Sequence, residues 1–194
     1  LIIDNFLSEE DFIKLTIELD STKNIVQRVF KTSLENKIIF KDTLMKKNVK
    51  DLVNKMGSLE IKKIISKLIG SKNILSMKDV DDYGGYSPYH ITENNGFLGS
   101  HVDHSSIKRG KFRHVANTIF YASTRWQREW GGHTILFSRN GFSQKVKIEP
   151  IPNRLIFFIH TANSFHGVSR YYSDLKIQRR TFYHDYYVKK DEIK

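Results

Sequence analysis

Cysteine is absent from this 194-residue chain. That absence excludes disulfide staples, zinc–thiolate and iron–sulfur centres, and thiol nucleophiles. Proline is scarce, with three residues, and no Pro/Gly linker, low-complexity tract or internal repeat divides the sequence. No apolar run is long enough to span a bilayer, and no secretory signal is recognisable. The expectation is no membrane association and a cytoplasmic location. The chain opens at Leu1 rather than Met, so a short N-terminal piece, with any address it carries, is expected to be missing. Acidic residues are the scarcer sign, 21 against 32 Lys and Arg, leaving a net charge of +11. A polyanion partner is one reading of that charge. The excess is shared along the chain rather than packed into a tail, which favours lysines solvated over the surface.

What is present suffices for one domain with a substantial core. The first 80 or so residues read as helical. Ser8 followed by Glu9, Glu10 and Asp11 has the pattern of an N-cap with acids in the first turn, and Phe12, Leu15 and Ile17 to Leu19 supply an apolar face. A second helix fits Val49 to Met56. A third fits Leu59 to Leu68, with Gly70 as its stop. After Asp79 short β-branched and aromatic runs alternate with turn residues: Tyr89 to Thr92, Phe97 to Val102, Val115 to Tyr121, His133 to Phe137, Lys145 to Ile148, Arg154 to His160 and Arg180 to Val188. The expected class is α+β, a double-stranded β-helix (jelly roll) with N-terminal helices packed on one sheet. It forms a single domain over 1–194, with 1–78 as a mainly helical buttress and 79–194 as the jelly-roll core that carries the site.

Within that core, Gly99-Ser100-His101-Val102-Asp103-His104 contains a His-x-Asp step. Alternate residues of a strand share a face, so His101 and Asp103 project together. An imidazole and a carboxylate so placed are two-thirds of a 2-His-1-carboxylate facial set, which holds Fe(II) and leaves positions open. His166, in Phe165-His166-Gly167-Val168, supplies a third ligand. His160 competes for that place, but no small glycine follows it. A lone strand histidine is more often a hydrogen-bonded structural residue, and His90, His114, His133, His160 and His184 are read that way; His104 is read as an outer neighbour of the site or as exposed. Downstream stands Arg179-Arg180-Thr181. An arginine fork suits the buried distal carboxylate of a dicarboxylic keto-acid. Arg179 and Thr181 share one strand face, and a one-residue shift in register puts Arg180 there instead.

These residues resemble the Fe(II)/2-oxoglutarate-dependent dioxygenases, in particular their prolyl 4-hydroxylase-like branch. The resemblance runs through the chain: Ile3-Asp4-Asn5-Phe6-Leu7-Ser8 before the first helix, Phe97 to Asp103 as the metal strand, and Thr118-Ile119-Phe120-Tyr121 followed by Trp126 and Trp130-Gly131-Gly132-His133-Thr134-Ile135-Leu136-Phe137. Pro150 to Phe158 resembles the strand leading to the distal histidine, and Arg179-Arg180-Thr181 the Arg-x-Ser/Thr element. The resemblance implies Fe(II) ligated by His101, Asp103 and His166, and a 2-oxoglutarate C5 carboxylate held by Arg179 and Thr181 with Tyr121 donating to it. It places Tyr89 toward the cosubstrate. It implies O2 as the oxidant, with ascorbate as an accessory reductant, and hydroxylation of an unactivated C–H bond of a peptidyl proline or a free amino acid. The carboxylate ligand Asp103 argues against halogenation.

The expected partner is thus a peptide or small-molecule substrate, with the oligomeric state left open. Three rival readings compete with this one. A nucleic-acid demethylase of the AlkB type carries a second arginine six residues beyond the first, whereas positions 185 and 186 here are Asp and Tyr; nucleic acid is disfavoured. A non-enzymatic jelly-roll binding module would have no need of a full ligand set. A cupin with another metal would want three histidines and a glutamate. The stretch Asp81 to Pro88, with paired glycines and two tyrosines, reads either as a lid or as a plain loop. The basic run from Lys108 to Arg113 reads as solvent-facing.

Overall fold

The computed structural model describes residues 1–21, 26–40, 46–80 and 88–190. The stretch proposed as a lid falls on 81–87 and lies outside the described residues.

Among the described residues, three α-helices pack on one side. α1 (Glu9–Ser21) starts where the sequence indicates: the Ser8 hydroxyl accepts a hydrogen bond from the Asp11 N–H at 3.1 Å and donates to the Asp11 carboxylate at 2.8 Å, which closes the first turn. α2 (Lys47–Met56) buries Val49, Leu52, Val53 and Met56 along one stripe. α3 (Leu59–Ile69) is capped by Ser58, and Gly70 ends it in the left-handed region at φ 71°, a conformation glycine adopts without strain. Glu18 of α1 accepts from the Asn48 and Val49 N–H groups, joining α1 to the first turn of α2.

Among the described residues, thirteen strands form one sheet with antiparallel pairing throughout. They are β1 (Ile2–Ile3), β2 (Val26–Lys31), β3 (Glu35–Phe40), β4 (Leu75–Ser76), β5 (Tyr89–Thr92), β6 (Phe97–His101), β7 (Ser106–Ile107), β8 (Phe112–Tyr121), β9 (Thr134–Phe137), β10 (Gln144–Ile148), β11 (Leu155–Ile159), β12 (His166–Val168) and β13 (Arg179–Lys189). The main path runs β1-β11-β8-β13-β5-β3-β6-β12-β9-β10, with β2, β4 and β7 attached at its sides. The sheet is curled, because residues from β13 and β5 and from β6, β12 and β9 line one cavity. This is the expected jelly roll with helices on one face.

The residues 26–40 depart from the helical reading. They form a hairpin, with Val26 opposite Phe40 and Lys31 opposite Asn36. Val26, Val29 and Phe30 on one strand and Ile38, Ile39 and Phe40 on the other favour a pleated surface. β2 covers one edge of β3, and the other edge pairs first with β6 at Glu35 and Asn36 and then with β5 at Ile38 and Ile39, so β3 stitches the two halves of the roll together.

Period-2 alternation sorts the long central strands into two faces. On β13, Phe182 and Tyr186 enter the main core with Leu15, Leu52 and Met56 of the helices, and the Tyr186 hydroxyl donates to the Met56 carbonyl at 2.6 Å. The intervening Arg179, Thr181, Tyr183 and Asp185 line the cavity. β8 does the same, with Phe120 against the helices and Asn117 and Ile119 toward the cavity.

Candidate active site

The cavity holds about 380 Å³. At one end His101, on the last residue of β6, stands directly across from His166, the first residue of β12. Their ring centroids are 4.3 Å apart. Asp103 closes the group: one carboxylate oxygen lies 3.3 Å from His101 Nε2 and the other 3.3 Å from His166 Nε2. Gly167 permits this. A Cβ there would meet the Leu98 carbonyl oxygen at 2.6 Å and the Gly99 carbonyl oxygen at 2.9 Å, so only glycine lets β12 lie this close to β6. His160, the competitor, sits elsewhere, buried and stacked on His114 at 4.2 Å.

Each ligand candidate is oriented by a neighbour. His101 Nδ1 lies 2.9 Å from the Gly99 carbonyl, and His166 Nδ1 lies 3.2 Å from the Ser164 carbonyl. In the neutral rings, with Nδ1–H donating to these oxygens, both Nε2 lone pairs face the carboxylate, and a proton taken up by His101 at Nε2 is donated to Asp103. The Asn117 amide donates to Asp103 at 2.8 Å and to Asp185 at 3.2 Å. Burial opposes ionisation of Asp103, but the hydrogen bond from His101 and the charges of His166 and His101 outweigh it, holding the carboxyl well below its usual range. Burial also presses on His101, yet the Asp103 hydrogen bond and charge prevail and raise it; for His166 burial wins and the ring is lowered. Two imidazoles and an ionised carboxylate, converging with their other atoms engaged, form a donor set suited to a divalent first-row metal such as Fe(II).

A second His/Asp group, His104, His114 and Asp185, adjoins the first. Its rings are stacked 4.9 Å apart at 22°, so their in-plane lone pairs run side by side rather than converging. Both His114 nitrogens already face backbone carbonyls, at 3.0 and 3.1 Å. This group is a hydrogen-bonded stack behind the triad. His104 is exposed at its outer end, with Nε2 3.1 Å from the Tyr187 hydroxyl.

At the other end of the cavity Arg179 is 4% exposed. Its Nε donates to the Gly132 carbonyl at 2.7 Å, its Nη2 donates to Thr134 at 3.3 Å, and its guanidinium lies 5.4 Å from the Tyr121 ring centre. Gly132, at φ +70°, makes room: a Cβ there would lie 2.9 Å from Arg179 Cδ. Among the described residues no carboxylate pairs with Arg179. Arg180 instead turns toward α1 and pairs with Asp20 at 2.6 Å. Thr181 is buried beside Arg179, opposite Tyr121, whose hydroxyl donates to Thr134 at 2.7 Å. A buried cation ringed by hydroxyls and lacking an acid matches one end of a small dicarboxylate.

Tyr89 corrects an expectation. It stacks on Phe182 at 4.7 Å and near Phe40 at 5.4 Å, inside the core on the helical face. The phase of β5 sends His90 and Thr92 into the cavity instead, so His90 is a wall residue rather than a purely structural one. Burial and the charges of Lys37 and Arg179 push it down to about 3. Sequence reasoning also missed Thr134 and Asn117. Thr134 sits inside the Gly-Gly-His-Thr run that the resemblance uses; nothing in the sequence marks Asn117.

Residues 85–184, more than half of the chain, match the family model of the 2OG-Fe(II) oxygenase superfamily. No curated protein sequence matches the chain. Among solved structures, a Pseudomonas putida prolyl-4-hydroxylase aligns with a TM-score of 0.68 at 14% identity, over 98% of this chain and 92% of that one. The viral collagen prolyl hydroxylase of Paramecium Bursaria Chlorella virus-1, in its 2OG complex, aligns at 0.62 and 14%, over 97% and 95%. A Trichoplax adhaerens prolyl hydroxylase in complex with a hypoxia inducible factor oxygen degradation domain peptide fragment aligns at 0.59 and 15%, over 99% and 84%. The fold is that of the prolyl hydroxylases. Together with the family match, it makes the chain a member of the 2OG-Fe(II) oxygenase superfamily, a 2-oxoglutarate-dependent dioxygenase.

Proposed function

We propose that the protein hydroxylates an unactivated C–H bond of a prolyl residue in a peptide or of a free amino acid. His101, Asp103 and His166 hold Fe(II), and Arg179, Thr181 and Thr134 hold the distal carboxylate of 2-oxoglutarate, with Tyr121 acting through the hydrogen bond it donates to Thr134. The observation that carries this reading is the pairing, in one cavity, of a two-histidine, one-carboxylate set with a buried arginine that has no acidic partner among the described residues. When bound, the iron supplies oxygen activation: one O2 is spent, 2-oxoglutarate becomes succinate and carbon dioxide, and one oxygen atom enters the substrate C–H bond as hydroxyl.

The chain's own residues do the rest. Asn117 fixes the Asp103 carboxylate. The Gly99 and Ser164 carbonyls fix the imidazole tautomers. Arg179 neutralises the distal carboxylate and sets the cosubstrate's direction along the cavity. Thr134 Oγ1 accepts from both Tyr121 and Arg179, which leaves its proton to donate to the anion. The apolar wall of Ile119, Phe158 and Leu98 excludes bulk water. Ascorbate belongs to the same proposal, as an external reductant that keeps the metal ferrous.

An anaerobic titration with Fe(II) and 2-oxoglutarate tests the reading through the visible charge-transfer band of a keto-acid–iron chelate. We expect a band that Asp103→Ala abolishes. Arg179→Gln should shift its 2-oxoglutarate midpoint upward by on the order of a hundredfold, as loss of a buried charge-assisted pair does. A folded, iron-loaded protein with no band would overturn the proposal.

A further inference from the structure

β3 places an ion pair in the cavity wall that the reaction above does not use. Glu35 and Lys37 are two residues apart, so they share a face of the strand, and both line the cavity. Lys37 Nζ and Glu35 Oε2 are 3.0 Å apart, with the side chains only 18% and 20% exposed. A phenyl ring flanks them: Phe30 is the cross-strand partner of Lys37, with its ring centre 5.1 Å from Nζ. β6 is the strand that ends at His101, and Glu35 pairs with Leu98 on it.

A pair drawn out of water against an aromatic ring pays a desolvation cost that its attraction only partly returns, so it contributes little to stability. Its value lies in what it admits. An internal prolyl residue of a peptide is uncharged on both sides. It would cover the pair, strip its remaining water and match neither charge. A free α-amino acid carries a carboxylate and an ammonium on one carbon. Inserted at the pair, it exchanges one ion pair for two. The volume agrees: about 380 Å³ lies near the lower end of ligand pockets and suits two small acids side by side. Arg179 already claims the cosubstrate's charge at the other end.

We propose that the substrate is a free α-amino acid, its carboxylate on Lys37 and its amino group on Glu35, with its side chain directed to the His101–Asp103–His166 end. This inference rests on the dioxygenase reading and selects between the substrate forms that reading allows.

The test is a screen of the free proteinogenic amino acids, each beside its N-acetyl amide and a tripeptide holding the same residue internally. Stimulated succinate release is measured on iron-loaded protein. At least one free amino acid should stimulate turnover while its blocked and internal forms do not. For that amino acid, Lys37→Met and Glu35→Gln should each raise KM by on the order of tenfold or more, and Lys37→Arg, which keeps the charge, should recover most of the loss. Blocked or internal residues that stimulate as well as free ones would overturn the inference, as would Lys37→Met with an unchanged KM. So would the absence of stimulation by any free amino acid in protein that forms the charge-transfer band. A missing band would instead overturn the dioxygenase reading itself, and this inference with it.

Discussion

Asp103 is gripped from three sides: by His101, by His166 and by the Asn117 amide at 2.8 Å. Asn117 also donates to Asp185, so a single neutral side chain spans two carboxylates that would otherwise repel. Removing it frees Asp103 to rotate and leaves Asp185 facing it. Asn117→Ala should therefore weaken metal binding by about 10–100-fold, the usual cost of losing a group that orients a ligand. Competition with a chelator, read by metal release rather than turnover, checks this; unchanged release would show that the histidines alone fix the carboxylate. The ligand candidates were legible because their spacing is chemical: a His-x-Asp step in a strand and a histidine followed by glycine. Asn117 was not legible, since one asparagine inside Val115 to Tyr121 carries no signal until Asp103 stands beside it. Tyr89 was misassigned by a single step of strand phase, which turns every side chain to the opposite face. The same phase argument left Arg179 and Arg180 open; in the fold Arg179 lines the cavity and Arg180 meets Asp20 on α1.

At the scale of elements, the closest approach in the site is β12 on β6. Gly167 faces the Leu98 and Gly99 carbonyls with no room for a methyl group. Gly167→Ala should push β12 outward and carry His166 with it. The expected outcome is a loss of stability of about 1–3 kcal/mol, typical of overpacking, together with weakened metal binding. Urea unfolding of the metal-free protein measures the first and chelator competition the second. Equal loss in both the metal-free and metal-loaded forms would mean that the strand shifts without disturbing His166. The helices announced themselves through caps and apolar stripes, and most strands of the roll through alternation. The β2–β3 hairpin did not. It lies between helical segments, its strand β2 is half-exposed, and the lysines and asparagines around it give no turn signal strong enough to outvote its neighbours. What made it a strand is tertiary: β3 bridges β5 and β6 along one edge while β2 covers the other.

For the whole molecule, His184 sets a limit at low pH. It is fully buried on the helical face of β13, and a Cβ on Gly57 would lie 3.2 Å from its Nε2. Burial pushes it down to about 4, with the Asp79 charge opposing and that of Lys62 assisting. In the unfolded chain a histidine takes its proton near 6.5. Between those values the unfolded chain holds more protons, so stability is intact above about pH 6.5 and drains away as pH falls toward about 4. The expected loss from His184 is about 2 kcal/mol by about pH 5, seen in the drop of the urea midpoint between about pH 7.5 and about pH 5; His184→Phe should lessen that drop by this amount, the remainder belonging to His90 and His114, which burial lowers as well. An equally steep slope in the variant would assign the acid sensitivity to another group. The same strand has a consequence in time. β13 is the last strand in the described chain, yet it lies mid-sheet, between β8 and β5, and brings Arg179, Thr181 and Asp185 to the cavity. On the ribosome, the helices and the outer strands emerge first and must wait, their central edges unpaired, until residue 179 and beyond clear the exit tunnel. Assembly of the catalytic half thus waits for β13 to emerge, governed by contacts of long sequence separation and correspondingly slow, with a window in which exposed edges invite pairing with other chains.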